Sequence, residues 1–278
     1  MTGAQITWLA GGRLHLHHGP IDVILQGWGD PVALQAGYAQ AAADFPAILP
    51  ALCAELPALR LPDAPLSGRI ARRMARAIAP FRPAFITPMA AVAGAVAEAV
   101  LGSFIRPGIS RAYANNGGDI ALHLDPGESL TSAIAARPGA PDRITIRAAD
   151  PVRGIATSGW RGRSWSRGIA DSVTTLARSA SMADAAATMI ANAVDLPGHP
   201  AITRQPARDL QADSDLGPIP VTTAVGALSR PDRDRALDAG AHAAAVFRRR
   251  GLIDAAALFL HPEVRTLGTP FLTEPSLV

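Results

Sequence analysis

Apolar and polar residues alternate through RLHLHH, from Arg13 to His18, and an apolar run follows from Ile21, with Gly19-Pro20 between. That pattern predicts two strands joined by a turn. From Pro31 to Leu59 the spacing becomes helical, and Pro46, Pro50 and Pro57 divide it into two or three short helices. Another helix is expected from Gly68 to Ala79. The apolar run from Ala84 to Gly102 holds Pro88 and Glu98 and is dominated by alanine, so it predicts a buried helix starting near Pro88, not a membrane span. SRAYA and IALHL read as strands around the turn NNGGD, ITIRAAD as an extended run, SVTTLA as a strand, and a helix begins near Ser181. DRALDAGAHAAAVFRRRG is the clearest helix of the last third, and AAALFLHPEVRTLG reads as extended. Strands and helices mix without a strict βαβ rhythm and without a repeat, which points to an α+β fold. The expected organisation is a single domain over 1–278, with mixed sheets flanked by helices and room for two lobes.

Composition removes whole chemistries from this picture. All 26 basic residues are arginine. Without lysine there is no Schiff base, no P-loop lysine and no lysine general base. The same absence explains the pI of about 9.9, because little titrates between neutrality and arginine at a net charge of +3. A basic pI is therefore weak support for a nucleic-acid partner. The single cysteine, Cys53, excludes an intramolecular disulfide and a cysteine metal cage. A reducing, cytoplasmic setting without a targeting segment or membrane partner is expected.

Three segments can carry chemistry. NNGGD, Asn115 to Asp119, offers two glycines for close backbone approach and polar side chains at fixed positions. The same letters are an ordinary hairpin signal, and on their own they favour that reading. In SMADAAATMIANAVD, Asp184, Thr188 and Asn192 are spaced four apart and share one helix face. A carboxylate and a hydroxyl one turn apart are hard oxygen donors suited to Mg2+. The competing reading makes Ser181 a helix cap and Asp184 its capping-box partner; it leaves Thr188 and Asn192 without a role. In ATSGWRGRSWSRG, Arg161, Arg163 and Arg167 alternate with Trp160, Trp165 and hydroxyls, a mixture that can hold a nucleotide or line an exposed loop. His15 and His17 alternate on one strand face with His18 beside them, a possible metal pair, although strand histidines without a carboxylate or cysteine close by are more often surface residues. Arg69, Arg72, Arg73 and Arg76 read as a solvated helix face.

GGD after a strand, then ATSG, SVTTLA and a helix carrying ADAAAT resemble, in this order, the ApbE family of FAD:protein FMN transferases. ITPMAAVAGAVAE, NNGGDIALHL and GIADSV are similar to a shorter ApbE-like branch, over most of residues 10 to 265. The resemblance implies an ApbE-like fold and FAD as substrate or ligand. It also implies Mg2+ at the diphosphate, held by Asp184 and Thr188 as metal and catalytic residues. The implied ligand contacts are Asn115, Asn116, Gly117, Gly118, Asp119, Thr157, Ser158 and Gly159, with Arg161 and Arg163 for the phosphates. In the transferases FMN passes to a serine or threonine of an acceptor protein and AMP leaves.

The family's lysine-glycine pair aligns with Ala93 and Gly94, and its following aspartate with Glu98. Its histidine and aspartate-proline segment is replaced by GRSWSRG. Two readings follow. One is a magnesium-dependent transferase or FAD-cleaving enzyme; the other is a non-catalytic or differently catalytic binder of a phosphorylated flat ligand such as a flavin, pterin or nucleotide. Single-stranded nucleic acid ranks last, given the small net charge, and an oligomer stays open.

Overall fold

The computed structural model describes residues 3–134 and 142–268, so both ends of the expected 1–278 domain lie outside the described residues. The chain divides into two compact units, the first comprising Met1–Leu130, Thr145–Ala156 and Ala177–Asp184, the second Thr131–Ile144, Thr157–Leu176 and Ala185–Val278.

The first unit opens with three strands, β1 (Gln5–Leu9), β2 (Arg13–His18) and β3 (Ile21–Gly29). Helices α1 (Pro31–Asp44), α2 (Ile48–Ala54), α3 (Leu56–Leu59), α4 (Arg69–Ile78) and α5 (Val92–Phe104) follow. Next come β4 (Ile109–Asn116) and β5 (Asp119–Leu124), then β6 (Ser129–Ile134) and β7 (Asp142–Arg147), parts of which belong to the second unit, and β8 (Gly154–Ser158). The neighbours in the order β1-β2-β3-β4-β5-β8 all pair antiparallel, β8 meeting β5 through Ile155 and Gly154. β6 and β7 form a separate pair.

Alternation in β2 and β3 turns Leu14, Leu16, Val23 and Leu25 into the core and leaves the polar positions between them partly exposed. Asp30 caps α1, its carboxylate accepting from the Val32 and Ala33 N–H groups, with Pro31 in the first turn. The apolar run expected to be a buried helix is α5, whose Ala95, Val96, Ala97, Val100 and Phe104 are buried. It packs on α1, α4, β4 and β5. Gly27 and Gly37 make room for the Phe104 ring, since a Cβ on either would lie 2.4 or 2.9 Å from ring atoms.

In the second unit β9 (Ser172–Ala177) is followed by α6 (Ala180–Ala193), β10 (Ile202–Pro206), α7 (Ala207–Leu210), β11 (Pro220–Val225) and α8 (Arg230–Arg249). The strands β12 (Ala255–Leu260) and β13 (Glu263–Leu267) close the described chain. β12 pairs antiparallel with β9 on one side and β13 on the other, β10 pairs with β11, and α8 packs on β12 and β13. β8 and α6 each begin in the first unit and end in the second. Antiparallel strands with helices against them make the protein α+β, as the pattern predicts. Among the described residues no helix is long and apolar enough to cross a membrane.

Candidate functional site

The NNGGD turn is a two-residue hairpin between β4 and β5, and Gly117 and Gly118 take φ of 64° and 112° that side chains resist. The two asparagines point to opposite faces because they are adjacent in a strand. Asn115 closes the turn by accepting from the Gly118 N–H at 2.8 Å. Asn116 is opposite Asp119 in register, so both share the inner face, and they are only 7% and 8% exposed. Buried amides need partners. Asn116 accepts from the Asp22 N–H at 3.2 Å and donates to the Ala93 carbonyl at 3.1 Å, joining β3, β4 and the start of α5.

Charged groups meet at the start of α5. A helix leaves its first N–H groups without partners inside the helix, and Ala91, at the cap position, supplies no side-chain acceptor. Asp184 does so instead: its Oδ2 accepts from the Gly94 N–H at 3.0 Å. Burial pushes the Asp184 carboxyl well above the ordinary carboxylate range, and the like charge of Asp119 raises it further. The Gly94 and Ala93 N–H groups pull it back in part.

The exchange is reciprocal. Glu98 of α5 accepts from the Ser181 N–H at 2.7 Å and the Ser181 hydroxyl at 2.8 Å, at the start of α6. Arg73 of α4 pairs with the other Glu98 oxygen at 3.0 Å. Each helix therefore places a carboxylate on the N-terminal turn of the other, where the helix dipole favours it. A glycine is required at the crossing, because a Cβ on Gly94 would stand 2.3 Å from the Ala180 carbonyl oxygen; one on Gly154 would stand 2.2 Å from the Ser179 carbonyl carbon.

Two expectations change here. Ser181 is not the cap of α6: the helix starts at Ala180, and the Ser179 hydroxyl accepts from the Met182 N–H at 3.3 Å. Asp184 is consequently not a capping-box partner within its own helix but an acceptor for α5. The α4 arginines are not a uniformly solvated face either, since Arg73 is turned onto Glu98. Neither contact was found from sequence; a lone Glu98 inside an otherwise apolar helix was the signal for it.

The other predicted residues belong to the second unit. Thr157 and Thr174 hydroxyls lie 2.9 Å apart, Ser158 is half-buried, and Gly159 packs so closely that a Cβ would meet the Asp171 carbonyl oxygen at 2.4 Å. Arg161 stacks on the Trp160 ring at 4.6 Å and donates to Asp171 at 2.7 Å. The second Asp171 oxygen accepts from the His261 N–H at 2.8 Å. Arg163 and Trp165 are exposed. Asn192 accepts from the Arg167 N–H at 2.9 Å, which anchors the end of the loop to α6. Thr188 is half-buried, one helical turn beyond Asp184 along α6. The structure thus gathers Asn116, Asp119 and Asp184 in the first unit. Thr157, Ser158, Gly159 and Arg161 stand together in the second.

Comparison with known proteins bears out the ApbE-like resemblance. A family profile described as AbpE bacteria matches residues 6–266. Among curated proteins the chain is similar to a UPF0280 protein of Methanococcoides burtonii, 38% identical over 41% of this chain and 48% of that protein. A UPF0280 protein of Methanothrix thermoacetophila is 38% identical over 45% of this chain and 52% of its own length. The chain spans about half the length of the curated relatives it matches. Among solved structures it is similar to the apo form of the Pseudomonas stutzeri flavinyl transferase ApbE, at 14% identity and a TM-score of 0.38, with 97% of this chain and 96% of that one covered. By the match over residues 6–266, the chain belongs to the ApbE-like family described as AbpE bacteria.

Proposed function

We propose that this protein is a Mg2+-dependent relative of the flavin transferases that acts on the diphosphate of FAD. The observation that carries the reading is the Asp184 carboxyl, set among protein beside a second carboxylate, Asp119, and raised well above its ordinary range. Two close carboxylates favour a bound cation, and the chain has no lysine ammonium to neutralise them. The donors suit a hard ion: the Asp184 carboxylate, with the Thr188 hydroxyl a turn further along α6. Bound there, magnesium would supply neutralising charge to the carboxylates and to the diphosphate oxygens.

The chain's own residues have separate tasks in this reading. Asn115 closes the glycine turn, Asn116 and Asp119 flank it, and Gly117 and Gly118 let the backbone approach the ligand. Thr157, Ser158 and Gly159 contact the nucleotide, with Arg163 on the phosphates and Arg161 beside it. The acceptor oxygen, from a protein serine or threonine or from water, forms a bond to the FMN phosphorus. The bond to the AMP phosphate breaks and the acceptor proton is released. The products are FMN attached to protein, or free FMN, together with AMP. Incubation of the purified protein with FAD and Mg2+ tests this by AMP release, with and without candidate acceptors. No release under any of these conditions overturns it.

The resemblance also allows a second reading. By that resemblance Ala93 aligns with the transferases' lysine, and in this reading a phosphorylated flat ligand is held without turnover. FAD would then raise the melting temperature while AMP release stays at background.

A further inference from the structure

We propose that His15, His17 and Asp22 form a binding site for a zinc-like divalent transition metal on the partly exposed face of β2 and β3, separate from the magnesium reading at Asp184. Strand geometry assembles the three ligands. His15 and His17 are two apart in β2 and point the same way, and Asp22 lies directly opposite His17 in the antiparallel pair, so it shares their face. The opposite face carries the buried Leu14, Leu16 and Val23, which fixes the register and with it the histidine face.

The distances suit a shared ion. His15 Nε2 lies 2.8 Å from Asp22 Oδ1, and His17 Nδ1 lies 4.0 Å from Asp22 Oδ2. One ligand atom from each residue lies within 4.8 Å of the others. Ligand atoms about 2.0–2.2 Å from a tetrahedral zinc stand roughly 3.3 Å apart. The observed spacings bracket that value, so small side-chain rotations bring all three onto one ion.

Ligand chemistry selects the metal. Two imidazoles favour zinc, cobalt, nickel or copper over magnesium, which prefers oxygen. The side chains are 30%, 38% and 46% exposed, so an ion can enter, and three protein ligands leave a coordination position for water or an added anion. The backbone of Asp22 is held from behind by its N–H bond to Asn116. Two other histidines, His123 and His199, each have one aspartate and no second imidazole, and they serve as internal comparisons.

The test uses the metal-stripped full-length chain titrated with Co2+ and with Zn2+. Visible Co2+ absorption, calorimetric stoichiometry and the metal-free melting temperature are read together. One equivalent should bind, with a cobalt spectrum of nitrogen and oxygen ligands. The paired variant His15→Ala/His17→Ala should lose this equivalent and keep its metal-free melting temperature. Asp22→Asn, which preserves shape, should weaken binding by more than the roughly 10–100-fold typical of lost outer-shell partners. His123→Ala should bind as the parent does. Absence of bound Co2+ in the parent, an unchanged equivalent in the paired variant, or unchanged affinity in Asp22→Asn would each overturn the site.

Discussion

The Asp184 cluster and the Trp160 loop both set charged groups against tightly packed glycines, yet they treat those charges in opposite ways. In the first, Asp184 and Asp119 bring like charge together, and the backbone N–H groups of Gly94 and Ala93 offset it only in part. In the second, Asp171 is matched on both oxygens, by Arg161 and by the His261 N–H, and Asn192 takes the Arg167 N–H. The difference teaches how to rank polar clusters. A matched charge holds a loop in shape, whereas two carboxylates set beside each other resist ionising together and so favour a cation.

The largest expected effect follows from removing the Asp184 carboxylate. Asp184→Ala should lower AMP release from FAD by about 10²–10³-fold or to background, the range seen when one electrostatic stabiliser is lost. Retained activity would make the carboxylate a helix acceptor only. Stability gives a second view of the same group. Its folded pKa is raised, so its contribution to stability is present below the unfolded value and is lost as pH rises through the folded one. Metal-free protein should therefore lose melting temperature from the ordinary carboxylate range upward. Asp184→Asn should flatten that slope, and Mg2+ should restore the parent at the upper end. Equal slopes in parent and Asp184→Asn would show that the repulsion between the carboxylates has no thermodynamic weight.

Structural members of the cluster should respond less. Glu98→Ala leaves the Ser181 N–H and Arg73 without their acceptor, an expected loss of about 1.5–3 kcal/mol in denaturant unfolding. Gly94→Ala pushes a methyl against the Ala180 carbonyl, with an expected loss of about 1–3 kcal/mol. A change below about 0.5 kcal/mol in both variants would mean that the crossing of α5 with the start of α6 is not as tight as its contacts imply.

Most elements of the fold were legible because their patterns were local. The β2–β3 alternation, the proline breaks before α4, the β4–β5 turn and the amphipathic α8 each announce themselves within a few residues. β1 was missed because it is an edge strand whose residues are mostly exposed and carry little alternation to read. The β10–β11 pair was missed because its two strands are separated by α7 and a loop. At the candidate site, the residue types of Asp184, Thr188 and the GGD turn were visible from spacing. The partners were not: Gly94 lies 90 residues before Asp184, and Glu98 lies 83 before Ser181. Such long-range capping leaves no periodic trace, only a single acid in an apolar run. The histidine pair was equally visible, but its carboxylate depended on strand register.

The smallest expected effect discriminates within the Trp160 loop. Arg161 is already engaged by Asp171 and Trp160, and its side chain is 65% exposed. Arg161→Ala should therefore change stability by no more than the ~0.2–1 kcal/mol of an exposed pair. It should weaken FAD binding less than Arg163→Ala, because a guanidinium that must first leave a carboxylate gives up one charge-assisted bond to gain another. Arg163 has the greater freedom to meet phosphate. Flavin fluorescence titration of the two variants measures the order directly. If Arg161→Ala is the more damaging, the Asp171 pair opens when ligand binds, and the matched charges of this loop belong to recognition as much as the carboxylates at Asp184.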